Sequence, residues 1–176
     1  EKVPIFWASG ACFVIRSRVF WKHDGFDARF FAHQEEIDLC WRIFNSGETI
    51  YSISESKVYH IGAATLPPSE QKVFLNHRNS LWMRLKNLPQ EKLFSILLKK
   101  LILDGCIGIY YLFQLKFRYT YAILRAHFAF YKMFSLYLKL RTPASIKTNY
   151  FLRKNIVLDY FVRKRLNFKN LNKNYK

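Results

Sequence analysis

This sequence has few of the residues that cross-link or metal-stabilise small domains. It contains 3 cysteines in 176 residues, Cys12, Cys40 and Cys106, and no Cys-x-x-Cys pair. An odd number of widely separated cysteines argues against a disulfide framework and against a structural zinc site. We therefore expect three buried free thiols in a reducing compartment.

Long uncharged apolar runs are also missing. The best candidate for a membrane span, residues 93–115, contains three charges, and its longest uncharged stretch is the eleven residues 105–115. A membrane-spanning helix needs about 20 apolar residues. Gly105 and Gly108 disfavour a continuous helix there. The sequence thus predicts no transmembrane helix, and a shorter helix over about residues 90–103.

Acidic residues are scarce in the second part of the chain. Residues 1–70 contain seven Lys/Arg and nine Asp/Glu, a net charge of −2, whereas residues 71–176 contain 22 and three, a net charge of +19; together they give +17. A basic region rich in Tyr and Phe suits an anionic membrane surface or a nucleic acid. No RNP, KH or zinc-finger spacing occurs, so we expect a membrane surface and no nucleic acid.

Three carboxylates, Glu35, Glu36 and Asp38, stand at the start of a predicted amphipathic helix that ends near Gly47. Its apolar face is Ile37, Cys40, Trp41 and Phe44. Glu35, Asp38 and Arg42 share the opposite, polar face, where Arg42 is expected to pair with Asp38. Carboxylates at a helix N-terminus can also be simple dipole partners that contribute about 0.3–1 kcal/mol each. The cluster alone leaves both interpretations open.

Other local patterns outline the remaining elements. Short β-type runs cover residues 11–15, 49–53 and 57–61, and Asp24-Gly25 is typical of a turn. Pro67-Pro68 predicts a boundary, after which the pattern turns helical.

A basic stripe follows the predicted helices. Arg118, Arg125, Lys132 and Lys139 recur every seven residues beside many aromatic and aliphatic residues. The stripe is either the solvated face of a packed helix or the headgroup-facing side of an interfacial helix. The net charge and the many aromatic residues favour the interfacial helix.

Four segments of the first part carry a family resemblance. They are Trp7-Ala8-Ser9-Gly10-Ala11-Cys12-Phe13-Val14-Ile15-Arg16, Gly25-Phe26-Asp27-Ala28-Arg29-Phe30-Phe31, Glu35-Glu36-Ile37-Asp38-Leu39-Cys40-Trp41-Arg42 with Gly47, and Val58-Tyr59-His60. Their order and spacing resemble the acceptor-side half of a family 2 glycosyltransferase: a small-residue segment, GFDxxFF, an (E/D)DxDLxxR helix and a terminal histidine. The resemblance covers about residues 5–65. Glu36 departs from it, because the family usually has Asp there.

The resemblance implies a fold and a location. It implies an α/β fold: the C-terminal part of a GT-A-type domain over residues 1–66, followed by an α-helical, basic, membrane-associated region over residues 67–176. The implied location is the cytoplasmic face of the bacterial inner membrane, held peripherally. The family's nucleotide-sugar half, with its Asp-rich metal motif, would precede residue 1, and no Asp-x-Asp occurs in this sequence.

The resemblance also implies residue roles in an inverting transfer from a nucleotide-sugar donor to a glycan or lipid-linked acceptor, as in cell-surface polysaccharide synthesis. Glu36 would be the catalytic base, with Glu35 and Asp38 orienting the acceptor or the base. Trp7, Ser9 and Gly10 would line the acceptor pocket, and His60 would complete a Mg²⁺ or Mn²⁺ site. The alternatives are an inactive remnant without a donor site and a basic membrane- or nucleic-acid-binding module. Arg78 and Lys86 are weaker candidates for contact with an acceptor pyrophosphate.

Overall fold

The structure, a computed structural model, describes residues 1–60, 67–141, 160, 163 and 164. The predictions for residue 61 and for most of residues 142–176 lie outside the described residues. In chain order, the described elements are strand β1 (Lys2–Ile5), helix α1 (Ser17–Lys22), a 3-10 turn (Ala28–Phe30), helix α2 (Glu35–Asn45), strand β2 (Ile50–Ile53) and helices α3 (Glu70–Asn87), α4 (Gln90–Phe113), α5 (Phe117–Lys132) and α6 (Phe134–Lys139).

The β structure is a small antiparallel pair. β1 pairs with β2 so that Lys2 lies opposite Ile53 and Ile5 lies opposite Ile50. β2 confirms the run predicted at residues 49–53. The strands predicted at residues 11–15 and 57–60 are wrong, because neither segment has a regular hydrogen-bonding partner there. In the first of them, the ring of Phe13 packs edge-on against Phe26 instead. With so little sheet in the described residues, the GT-A fold stays a prediction.

Helix α2 forms where its pattern predicts, but more of it is buried than expected. The predicted apolar face supplies the buried Cys40 and Trp41. Asp38 and Arg42, predicted on the opposite, polar face, are buried as well. The reason is that α3 packs against α2 and supplies polar partners to that side.

Helices α3, α4 and α5 pack together. Phe74 and Leu75 of α3 meet Ala122 and Ala126 of α5 in a core cluster. Ser69 caps α3, since its side chain accepts a hydrogen bond from the Lys72 N–H at 3.2 Å. Such a cap is worth about 1 kcal/mol.

Helix α4 runs through both glycines, so its predicted end near residue 103 is wrong. Gly108 lies where a Cβ would be 4.0 Å from the Ile123 side chain, and its carbonyl accepts a hydrogen bond from Thr120 Oγ1 at 3.0 Å. Close packing against α5 thus outweighs the low helix propensity of glycine, which costs about 1 kcal/mol.

A buried ionic cluster joins the three helices. The fully buried Asp104 of α4 lies 2.8 Å from His77 Nδ1 of α3 and 3.3 Å from His127 Nε2 of α5. Lys100, one turn earlier on α4, forms a close ion pair with the same carboxylate. Burial alone would raise the pKa of Asp104, but these partners together hold it well below its usual range.

The predicted basic stripe spans two helices, because the chain breaks its helix at Met133. All four stripe residues are exposed: Arg118, Arg125, Lys132 and Lys139. Arg125 lies over the ring of Phe74 at 5.0 Å. None of the helices in the described part of the chain is long and apolar enough to cross a membrane.

Most of the described residues belong to one compact unit. The chain forms one compact unit over Glu1–Ile146 and another over Lys147–Lys176. The boundary predicted at residues 66–67 stays a prediction. The cysteine prediction holds only in part: Cys40 is buried, whereas Cys12 and Cys106 are exposed.

Candidate functional site

Asp38 anchors α2 to α3. Its Oδ2 accepts hydrogen bonds from Arg42 Nε and Lys86 Nζ, both at 3.0 Å, and its Oδ1 accepts one from Asn87 Nδ2 at 2.7 Å. The pairing predicted between Asp38 and Arg42 is therefore confirmed. A fully buried carboxylate needs such partners, since burying an unpaired charge costs several kcal/mol, by a rough estimate. The predicted role of Asp38 toward an acceptor stays a prediction.

The same network holds the Gly25-Phe26-Asp27 segment in place. Arg42 donates to the carbonyl of Gly25 at 2.7 Å and to that of His23. Lys86 Nζ also lies 3.4 Å from Asp27 Oδ2. Three members of the motif resemblance, Asp27, Asp38 and Arg42, thus build the scaffold rather than an open surface.

The two basic residues considered for a pyrophosphate are occupied within the fold. Lys86 is buried in ion pairs with Asp27 and Asp38. Arg78 donates to the carbonyls of Arg29 and Phe30 and lies 4.2 Å over the Trp82 ring. Both residues are thus engaged within the fold, and their contact with a pyrophosphate stays a prediction.

The loop before α2 has an unusual backbone. Phe31, His33 and Gln34 all have positive φ, at 65°, 69° and 71°. Left-handed backbone at a non-glycine residue costs about 1–3 kcal/mol, and such residues cluster at functional sites. The loop is held from α3, where Asn79 Nδ2 donates to the carbonyls of Phe30, Ala32 and His33 at 3.0, 2.8 and 2.8 Å.

Directly after this loop, Glu35 and Glu36 have carboxylate oxygens that are buried but not hydrogen-bonded within the described part of the chain. Glu35 Oε2, Glu36 Oε2 and His33 Nε2 are buried atoms with no hydrogen-bond partner in the described part of the chain. Burial, followed by the charge of Glu36, raises the pKa of the Glu35 carboxyl, although its own backbone N–H opposes the change. Buried polar atoms are normally paired, so these atoms would be available to bind a water molecule or a ligand.

The segment that would line the acceptor pocket lies against this turn of α2. A Cβ at Gly10 would be 3.6 Å from Glu36 Cγ and Cδ. One turn further along α2, the Ala8 backbone hydrogen-bonds the Cys40 thiol, whose pKa is nevertheless raised, mainly by burial. Trp7 is 43% exposed, and is therefore no core residue. Ser9 Oγ accepts from the Ala11 N–H at 3.3 Å.

His60 is the predicted metal ligand. It is exposed, and within the described residues neither a hydrogen bond nor an ion pair joins it to Glu35 or Glu36. No three His, Cys, Asp or Glu side chains in residues 1–60 and 67–141 converge as metal ligands. The described residues thus do not form a Mg²⁺ or Mn²⁺ site by themselves, and His60 would supply one ligand among others from elsewhere.

Comparison with known proteins supports a distant relationship over part of the chain. A curated N-acetylglucosaminyl-diphospho-decaprenol L-rhamnosyltransferase of Mycobacterium tuberculosis, found in strains CDC 1551 and H37Rv, is 31% identical over 91 residues. The chain is similar to a glycosyltransferase. The match covers 46% of this chain and only 30% of the relative. No family model and no solved structure matches the chain.

The sequence pattern alone does not reveal Asn79, Lys86 and Asn87, which hold the candidate site together. These residues lie 46–49 positions after their partners in the loop and in α2. The one local signal is that these residues are polar. Because α3 is only weakly amphipathic, its sequence does not indicate which face they occupy.

Proposed function

We propose that this chain forms the acceptor-side part of an inverting glycosyltransferase. It would take part in moving a sugar from a nucleotide-sugar donor to a glycan or lipid-linked acceptor in cell-surface polysaccharide synthesis. The partial similarity to a rhamnosyltransferase supports glycosyl transfer in general terms. The inverting mechanism, the substrates and a peripheral position at the cytoplasmic face of a bacterial inner membrane belong to the proposal.

One observation carries the proposal: the Glu36 side chain lies against Gly10, and one of its oxygens has no hydrogen-bond partner among the described residues. A base must be within hydrogen-bond reach of the hydroxyl whose proton it takes. Asp38, by contrast, is fully engaged with α3 and Arg42. Glu36 is therefore the better candidate base, and Glu35 would orient the acceptor beside it.

The chemical step follows from these positions. As the acceptor oxygen bonds to the anomeric carbon, its proton passes to the Glu36 carboxylate. The bond between that carbon and the donor's phosphate oxygen breaks, and the nucleoside diphosphate leaves as an anion. The exposed face of Trp7 would stack on an apolar sugar face nearby. The Mg²⁺ or Mn²⁺ prediction, with His60 as one ligand, stays part of the proposal, and none of these steps depends on it.

The test is sugar transfer by the full-length protein, with nucleotide-linked L-rhamnose and polyprenyl-diphosphate-linked N-acetylglucosamine as the first pair. This pair follows the name of the relative. Glu36→Gln should lower kcat by about 10²–10⁴-fold, the usual contribution of general-base catalysis, with donor KM nearly unchanged. Glu91→Gln, a matched change of an exposed carboxylate in α4, should leave kcat unaltered.

Three outcomes would contradict the proposal. Near-normal turnover by Glu36→Gln would place the base elsewhere. Absence of transfer by the unchanged protein across nucleotide-sugars would favour the inactive remnant. Saturable, salt-sensitive binding of single-stranded oligonucleotides by such a protein would instead favour a nucleic-acid-binding module.

A further inference from the structure

One side of α4 is fixed within the fold, and this orients the other side outward. Its buried residues, Leu93, Leu97, Asp104 and Gly108, recur at helical spacing. Asp104 and Gly108 face the partners on α3 and α5 already described, including His77, Thr120 and Ile123. A helix held along one side presents its opposite side as a continuous surface.

From Leu98 to Phe113 that opposite side is apolar, whereas the exposed Glu91 and Ser95 lie on it in the first turns of α4. It is formed by Phe94, Leu98, Ile102, Cys106, Ile109 and Phe113, at spacings of three or four residues, and we call it the α4 face. Phe94 is 78% and Phe113 is 84% exposed, and Ile102 and Ile109 are more than half exposed. Extended apolar patches of this kind on a surface mark sites of interaction with a protein or a membrane.

Charges border the α4 face at both ends and are excluded from its middle. Between Lys99 and Lys116, the only charged residues are Lys100 and Asp104, which pair with each other on the inner side. Lys92 stands near one end, Lys99 follows Leu98 at the side of the face, and Lys116 and Arg118 follow the other end. The one acidic residue in the first turn of α4 is Glu91.

This arrangement is complementary to an anionic lipid surface. Aromatic and aliphatic side chains enter the boundary between headgroups and acyl chains, while Lys and Arg bind the headgroups. A second copy of the same helix fits less well, because antiparallel pairing would bring cationic ends together. A nucleic acid fits poorly too, since its phosphates would have to cover an uncharged strip of several turns.

We propose that the α4 face is a membrane-docking surface that inserts shallowly into one leaflet of an anionic bilayer. The lysines and arginine at its two ends would lie at headgroup level. This inference rests on α4 and its neighbours alone, so it stands or falls independently of the proposed sugar transfer.

The test is binding of the 176-residue chain to vesicles of phosphatidylcholine with about one-third phosphatidylglycerol, compared with phosphatidylcholine alone. Ile102→Asp with Ile109→Asp should weaken binding to the anionic vesicles by at least about tenfold, because two inserted side chains are lost and two repelling charges gained. The matched control is Val14→Asp with Ile53→Asp. It changes the net charge equally at exposed aliphatic residues outside α4 and should weaken binding far less.

A second measurement reports the depth of the face and does not depend on variants that unfold. Cys106 lies on the α4 face and is exposed, whereas Cys40 is buried and has a raised pKa. In a Cys12→Ser chain, a polarity-sensitive fluorophore will therefore attach mainly at Cys106. On anionic vesicles the emission of the fluorophore should shift to shorter wavelength. Quenchers attached to the lipid acyl chains should then reduce its intensity.

Three results would overturn the inference. The first is no binding to anionic vesicles at low salt. The second is binding to vesicles while a water-soluble quencher still reaches the Cys106 label. Another surface of the protein would then contact the lipid. The third is a chain that does not bind vesicles but forms a concentration-dependent dimer, and loses that dimer in the Ile102/Ile109 variant. The α4 face would then bind a second copy of the chain.

Discussion

Replacing Asp38 by Asn tests whether the α2–α3 interface is held by charge. The carboxylate lies between Arg42 and Lys86, and its other oxygen accepts from Asn87. Asn keeps the size of the side chain but removes the charge. Because the charge is lost, the two buried cations Arg42 and Lys86 lose their main counter-charge. The amide N–H₂ group of Asn would also face hydrogen-bond donors on one side.

The expected loss of unfolding free energy is large for a substitution that keeps the size of the side chain. Removing one partner of a buried ion pair costs about 3–5 kcal/mol. Lys86 keeps Asp27 at 3.4 Å, so we expect the lower end, about 3 kcal/mol. For a chain of this size each kcal/mol lowers Tm by about 2–4 °C, which gives a loss of roughly 6–12 °C.

Urea unfolding followed by fluorescence of the buried Trp41 and Trp82 measures this free energy. Asp24→Asn is the matched control: Asp24 is exposed with a φ of 56°, a conformation that Asn adopts readily. The control should change the free energy of unfolding by less than about 0.5 kcal/mol. If Asp38→Asn falls within about 1 kcal/mol of the unchanged chain, the buried network does not stabilise the interface as its geometry implies.

Three further predictions follow from other sites. Asp104→Asn should destabilise by about 3 kcal/mol or more. Because the folded-state pKa of Asp104 is lowered, its contribution in the unchanged chain should be complete above the unfolded value of 3.8 and decline as pH falls below it, a trend that urea midpoints at several pH values would reveal. Gly25→Ala should cost about 1–3 kcal/mol, because φ is 56° and the new Cβ would lie 2.7 Å from the Phe20 ring; an unchanged Tm would contradict this. His60→Ala should raise the Mn²⁺ or Mg²⁺ concentration needed for half-maximal transfer without lowering Tm, whereas a packing residue would do the reverse.

The parts of the fold that local patterns determine could be predicted from the sequence. The periodicity of α2 and the alternation of β2 appear where expected, because each depends on neighbours a few residues away. The course of α4 could not be predicted in the same way. Gly105 and Gly108 argue against a helix locally, and only the contact between Gly108 and α5 shows why the helix continues.

The candidate site shows the same limit. The sequence indicated that Glu35, Glu36 and Asp38 share one helical turn, and their positions in α2 agree. It did not reveal that Asp38 points into an interface while Glu36 faces Gly10. That difference depends on Lys86 and Asn87, which approach only after α3 has packed, and no pattern within α2 encodes it.

The three bonds from Asn79 have a consequence for the order of folding. The loop from Phe30 to Gln34 contains left-handed residues that are unfavourable on their own, and its carbonyls find their donor on α3, 46–49 residues later. During synthesis, the loop should therefore reach its native conformation only after α3 has been synthesised and has packed against it. Helix α2 can form early, but the turn that presents Glu35 and Glu36 should take its final shape only after the helices that follow it.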